Sequence, residues 1–182
     1  MQDDGRYKLD IYILCRDRVE YLKECLESVL ITGNHKARIV ISDNSIRDDV
    51  EKFIQDHFKE VEYVRRVPAL DVLEHHNLIL SETNAEYLVM FHDDDLMAEN
   101  YVERMLNFIE ADKSLAAIGC NAKIIKGEIR TKKNFIKDSI GEITFNNVYG
   151  FLIHYLKIST YGPAPFPSYI YRMSKVEKRL MQ

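Results

Sequence analysis

Asp93, Asp94 and Asp95 end an apolar run, YLVMFHDDDL from Tyr87 to Leu96, and three adjacent carboxylates call for something that neutralises them. In extended chain alternate residues share a side, so Asp93 and Asp95 are expected to point into one cleft and Asp94 away, or toward a neighbouring group. Like charges brought together repel. A hard divalent cation, Mg²⁺ or Mn²⁺, relieves this by binding one or two carboxylates together with substrate phosphates. The plainer alternative is a solvated acidic turn that caps the next helix.

The elements that must position these acids are legible in the hydrophobic pattern. Five of the first six residues of the run are apolar, which predicts a strand buried on both faces. Leu9 to Leu14 predicts a first strand, and Leu22, Cys25, Leu26, Val29 and Leu30 a following helix, with Asp17 and Glu20 as its cap pair and Gly33 and Asn34 closing it. Ala37 to Ser42 predicts a second strand that stops at Asp43, and Val50, Phe53, Ile54 and His57 a second helix. Val61 to Val67, ended by Pro68, predicts a third strand, and the helix after it shows Leu73, Asn77 and Leu80 on one face. Val102, Met105, Leu106 and Ile109 mark the helix after the aspartates, and Ala116 to Ile125 a further strand. Strand and helix thus alternate, which predicts an α/β fold with a mostly parallel sheet covered on both faces. Ligands of such sheets bind at the carboxyl ends of the strands, where Cys15, Asp43 and the aspartate triplet all fall.

Beyond residue 125 the alternation stops. Lys126 to Asn134 predicts a basic hairpin or loop, with Lys123, Lys126, Arg130, Lys132 and Lys133 bunched together. It is either a solvated surface or a contact for an acceptor or an anionic lipid. Val148, Phe151, Leu152 and Tyr155 mark a helical stripe. Three prolines then precede a short aromatic strand, predicting a rigid crossing over the sheet edge.

Composition narrows the function. The chain has 182 residues, 46% of them hydrophobic, and a net charge of −4, so no basic footprint argues for nucleic acid. Three cysteines without a CxxC pair suit a reducing, cytosolic compartment. The opening MQDDGRYKLD lacks a basic and apolar leader, and a soluble chain is expected. Neither GxGxxG nor GxxxxGK[ST] is present, which excludes the usual dinucleotide and P-loop sites, and no HxxxH pair points to zinc.

Taken together these segments resemble glycosyltransferase family 2. IYILCRDRVEYLKECLESVL is similar to that family's opening strand, its P-T-Y-N-R turn and its E-Y-L-x-x-C-L-x-S helix. RIVISDNSIRDD resembles its second strand, and VMFHDDDLMAENYVERML its strand ending in a D-x-D metal motif. HNLIL stands where the family has R-N-x-G/A, and GPAPFPSYIYR resembles its G-x-x-x-x-P-S segment. The resemblance implies the GT-A fold, a nucleotide-diphospho-sugar donor (a UDP-sugar foremost), Mn²⁺ or Mg²⁺, a saccharide or lipid-linked acceptor, and inversion at the anomeric carbon. It implies further that Leu14, Cys15, Arg16 and Arg18 lie along the nucleotide, that Asp43 contacts the uracil or ribose, and that Asn77 belongs to the donor site. Asp94 would approach the ribose or sugar, Asp95 would hold the metal and Asp93 would help position it.

The sequence also departs from the family. Leu14 and Cys15 replace Pro-Thr, Arg16 and Asp17 replace Tyr-Asn, and His76 replaces the arginine, which leaves base preference open and implies a weaker hold on phosphate at neutral pH. The family's general base lies beyond the P-S strand, and Glu177, on a predicted terminal helix, has no E-D context, so the base is expected beyond Gln182 in a longer enzyme. The expected organisation is one GT-A domain, with a nucleotide-sugar half at about 8–112 and a partial acceptor half at about 113–182. Two alternatives remain: a catalytically silent donor-binding module, which a missing base favours, and a sugar-nucleotide nucleotidyltransferase, for which LCRDR lacks the glycines. A cytosolic position, with peripheral association at the inner membrane face, completes the expectation.

Overall fold

The computed structural model describes residues 7–32, 37–127, 129–136, 141–156 and 163–177. They form two compact units, residues 119–169 and the remainder.

The larger unit alternates β1 (Leu9–Cys15), α1 (Val19–Ile31), β2 (Ala37–Asp43), α2 (Asp49–His57), β3 (Glu62–Arg65), α3 (Val72–Glu82), β4 (Tyr87–His92) and α4 (Tyr101–Ala111). After β5 (Ala117–Gly119) come β6 (Lys123–Lys126), β7 (Ile129–Asn134), α5 (Val148–Leu156) and β8 (Tyr169–Arg172). The six-stranded sheet has the order β3-β2-β1-β4-β8-β5, and β1 to β4 run parallel. This is the α/β architecture that the alternation predicts. The chain steps from β1 to β2 and β3 on one side, then returns to lay β4 on the other, which opens a crevice at the carboxyl ends of β1 and β4.

Every residue of β1 is buried, because neighbours pair with both its edges and helices cover both its faces. Helix α1 buries Leu22, Cys25, Leu26 and Val29, and α4 buries Tyr101, Val102, Met105, Leu106 and Ile109, as their spacing predicts. The predicted stripe of α3 shifts: His75, Ile79 and Leu80 face the core, Leu73 is exposed and Asn77 is half-buried. Its capping box is formed by Asp71 and Glu74.

Three other expectations are corrected. Asp17 does not cap α1: it takes φ 56° in the left-handed region, its carboxylate accepts from the Arg47 amide at 3.2 Å, and Arg18 is the N-cap. The expected strand Ala116 to Ile125 divides, with β5 in the main sheet and β6 paired antiparallel to β7 as the basic hairpin. A Cβ on Gly119 would lie 2.6 Å from the Tyr169 ring, so only glycine fits where the strand divides. The aromatic strand β8 does not cross the sheet edge. It enters the sheet antiparallel to β4, between β4 and β5, because buried Arg172 caps the carbonyls of Ile109 and Leu115 and bonds Tyr87 Oη at 3.0 Å. The closing signal at Gly33 and Asn34 lies outside the described residues, and Glu177 stands outside any helix.

Candidate functional site

Parallel registry sets the site. Leu14 pairs with His92 across β1 and β4, and Cys15 pairs with Asp43 across β1 and β2. One hydrogen bond beyond the ladder, the Asp93 amide donates to the Leu14 carbonyl at 3.1 Å and the Asn44 amide to the Cys15 carbonyl at 3.0 Å. The turn Leu14 to Arg18, Asp43 and the aspartates therefore meet at one end of the sheet, as expected from sequence.

The acids do not alternate as an extended strand would have them. β4 stops at His92, and a turn in which the Asp95 amide donates to the His92 carbonyl at 3.3 Å carries Asp93 and Asp94. Asp93 is fully buried, pairs with the Arg18 guanidinium and accepts from the Arg16 amide at 3.2 Å. Arg18 Nη1 also donates to Asp94 at 2.8 Å. Asp94 and Asp95 are both partly exposed, and one ligand atom from each gathers with a nitrogen of His92 within 4.8 Å. Among the described residues, the group whose ligand atoms lie close enough to share a cation is thus His92, Asp94 and Asp95, while Asp93 is paired with Arg18.

His92 was not among the residues singled out from sequence. Its signal was its place directly before the acids, which a turn folds back so that Nδ1 lies 4.0 Å from Asp95. Burial, and then the neighbouring Asp94 and Asp93, push the Asp95 carboxyl up to about 6. Burial also raises Asp93, against the lowering effect of Arg18 and the Arg16 amide, and it lowers His92. Arg18 lowers Asp95 as well, but by less than burial and the two neighbouring acids raise it.

A cleft of about 190 Å³ opens beside this group. Its lining includes Leu14, Cys15, Arg16 and Arg18 from the turn after β1, His75 and His76 from α3, and His92 from β4. Asn77 is half-buried one position beyond His76 and is not in its lining.

Asp43 lies beneath the cleft, without exposed surface. Its carboxylate accepts from Tyr63 Oη at 2.5 Å, from the Ser45 amide at 2.8 Å and from the Cys15 thiol at 3.6 Å. Burial and Asp43 together raise both the Tyr63 hydroxyl and the Cys15 thiol, so neither ionises near neutral pH. Tyr63 carries no motif, and only strand pairing brings it here. A second polar group lies alongside: Ser42 Oγ is 2.7 Å from His75 Nε2 and accepts from Arg66 Nε at 2.9 Å, while Arg66 forks onto Glu82. Burial, then Arg66 and His76, hold His75 at about 4, so it is neutral at pH 7.

The sequence profile described as "Glycosyl transferase family 2" matches residues 10–179. No curated protein matches the sequence significantly. Among solved structures the fold is similar to S. aureus TarS 1–349 with UDP-GlcNAc, at TM-score 0.65 and 16% identity over 92% of this chain and 46% of that one. It is likewise similar to the mannosyltransferase PcManGT of Pyrobaculum calidifontis with GDP-Man and Mn²⁺, at TM-score 0.56 and 15% identity over 63% of this chain and 35% of that one. The chain spans less than half the length of these two structures, and at such identities the likeness is one of GT-A fold. With the profile matched over nearly its whole length, the chain belongs to glycosyl transferase family 2.

Proposed function

We propose that the chain binds a nucleotide-diphospho-sugar in the crevice between β1 and β4 and serves its transfer to an acceptor hydroxyl with inversion. The observation that carries this reading is the meeting of the Leu14–Arg18 cleft with the His92–Asp94–Asp95 group at the carboxyl ends of adjacent parallel strands. GDP-Man and UDP-GlcNAc in the similar structures support a nucleotide-sugar donor.

An imidazole and two carboxylates form a donor set that suits Mn²⁺, and Mg²⁺ less well. Burial and the neighbouring Asp94 and Asp93 disfavour ionised Asp95, and a divalent cation would relieve that. His92, Asp94 and Asp95 would hold it, and when bound it offsets charge on the departing diphosphate. Arg18 holds Asp94 in place and keeps Asp93 out of the ligand set. The Leu14–Arg18 wall lies along the nucleotide. Asp43 supports that wall from below, and a direct contact with uracil or ribose would require it to give up Tyr63 or Ser45. In this reading Asn77 belongs to the surroundings of the donor site without lining the cleft.

The acceptor in this reading is a saccharide or a lipid-linked saccharide, met at the cytosolic face of a membrane. Among the described residues no helix is long and apolar enough to cross a membrane. The base that takes the acceptor's proton is unassigned; Glu177 is exposed and lies outside any helix.

Calorimetric titration of UDP, and separately of GDP, with and without Mn²⁺ tests the reading. Binding that requires Mn²⁺ and is lost in Asp95→Ala is the expected result. Absence of binding at millimolar nucleotide with Mn²⁺ present overturns it.

A further inference from the structure

The 51-residue unit from 119 to 169 differs in charge from the rest of the chain. It carries seven basic and three acidic residues, a formal +4, against −8 for the remainder. Lys123, Lys126, Arg130, Lys132 and Lys133 all lie on the β6–β7 hairpin, and all five are exposed. Ile125, Ile129 and Phe135 are exposed among them, at 40, 69 and 52%.

Helix α5, VYGFLIHYL, has no charged residue and buries none of its side chains. Its two sides differ. Phe151 and His154 lie against the Phe145 ring, at 5.7 and 5.0 Å between centroids, and the Tyr155 ring lies tilted beside Phe151 at 6.1 Å. At about 100° per residue, Val148, Leu152, Leu156, Tyr149 and Ile153 fall on the opposite side, within one arc of about 140°. All five are exposed, between 42 and 75%. A contiguous apolar face of this kind marks an interaction surface.

We infer that this unit docks on an anionic lipid surface, α5 laying its apolar arc into the interface while the hairpin cations meet the headgroups. An apolar helix face and a cationic cluster are the two signals that together hold a protein on a membrane, where either alone is marginal. A compact unit of this length spans a few nanometres at most, with a radius of gyration on the order of 10 Å, so the helix and the hairpin belong to one small body that a charged surface can engage as a whole. A soluble polyanion would satisfy the lysines and leave the arc in water. A two-fold contact with a second copy would cover the arc and set one positive unit against another. The inference extends the membrane-face part of the proposed function, and its measurement is independent of nucleotide binding.

The test is co-sedimentation of the whole chain with phosphatidylcholine vesicles containing about 30% phosphatidylglycerol, against phosphatidylcholine alone, at low and high salt. At least a tenfold preference for the anionic vesicles, weakened by salt, is expected. Lys132→Glu with Lys133→Glu removes the preference, and Ile153→Asp lowers anionic binding about tenfold. Tyr149→Ser is the gentler helix variant should Ile153→Asp unfold. Equal sedimentation with both vesicles overturns the inference, as does wild-type binding by folded helix variants. A dimer seen by light scattering and dispersed by Ile153→Asp, without vesicle binding, also overturns it and gives the arc to a second copy. UDP titration run in parallel stays unchanged in these variants, and its failure would bear on the donor reading alone.

Discussion

The guanidinium of Arg18 is bound to the carboxylate of Asp93, which has no exposed surface, across 75 residues of sequence. This pair joins the turn after β1 to the end of β4 and so holds the two walls of the crevice together. Burial disfavours the Asp93 anion, and Arg18 is the largest influence opposing that cost.

Replacing Arg18 by Gln leaves a buried carboxylate without its cation. Arg18 is nearly half exposed, so water screens part of the pair, and the expected loss is about 1–3 kcal/mol. Urea denaturation at pH 7 measures it. Adding Asp93→Asn to the same chain should restore most of the loss, and an undiminished loss in the double variant would show that Arg18 acts through other contacts.

Asp95 opposes the fold when ionised without a cation. Its folded value of about 6 lies above its ordinary value of 3.8, so the native state holds its proton more tightly, and stability from this group falls as pH rises from about 4 to 6. Asp95→Asn should therefore raise the thermal midpoint of the metal-free chain above pH 6 and match wild type below pH 4. Titration with Mn²⁺ should reverse the order, because only the wild type gains from binding. A midpoint lowered by the substitution at pH 8 would contradict this.

His75 has the opposite dependence. Its folded value of about 4 lies below its ordinary value of 6.5, so its contribution is complete above pH 6.5 and is lost as pH falls toward 4. Between pH 6.5 and 5 the loss is about 2 kcal/mol. His75→Gln, which can still meet Ser42, should flatten this slope. Urea midpoints at pH 7 and pH 5 give the comparison, and an unchanged slope would assign the acid sensitivity elsewhere.

Arg172 fixes β8 within the sheet. Arg172→Met leaves the carbonyls of Ile109 and Leu115 and the hydroxyl of Tyr87 without their donor, at an expected cost of about 3 kcal/mol. A shift in the urea midpoint smaller than that for Arg18→Gln would show that strand pairing alone holds β8.

By itself the sequence determined the alternation of strands and helices, the buried faces of α1 and α4, and the placing of the Leu14–Arg18 turn, Asp43 and the aspartates at the strand ends. These are local properties, since an apolar spacing of two or of 3.6 decides which side of an element can be buried. Only the tertiary structure decided which groups those residues meet. β4 ends at His92, so the aspartates turn instead of alternating, and His92 joins Asp94 and Asp95. Asp17 turned toward Arg47 and not onto its helix, Tyr63 came to Asp43 by strand pairing, and β8 slipped between β4 and β5. Each of these depends on chain segments far apart in sequence approaching to within a hydrogen bond, and the relative path of such segments leaves no periodic trace in either one.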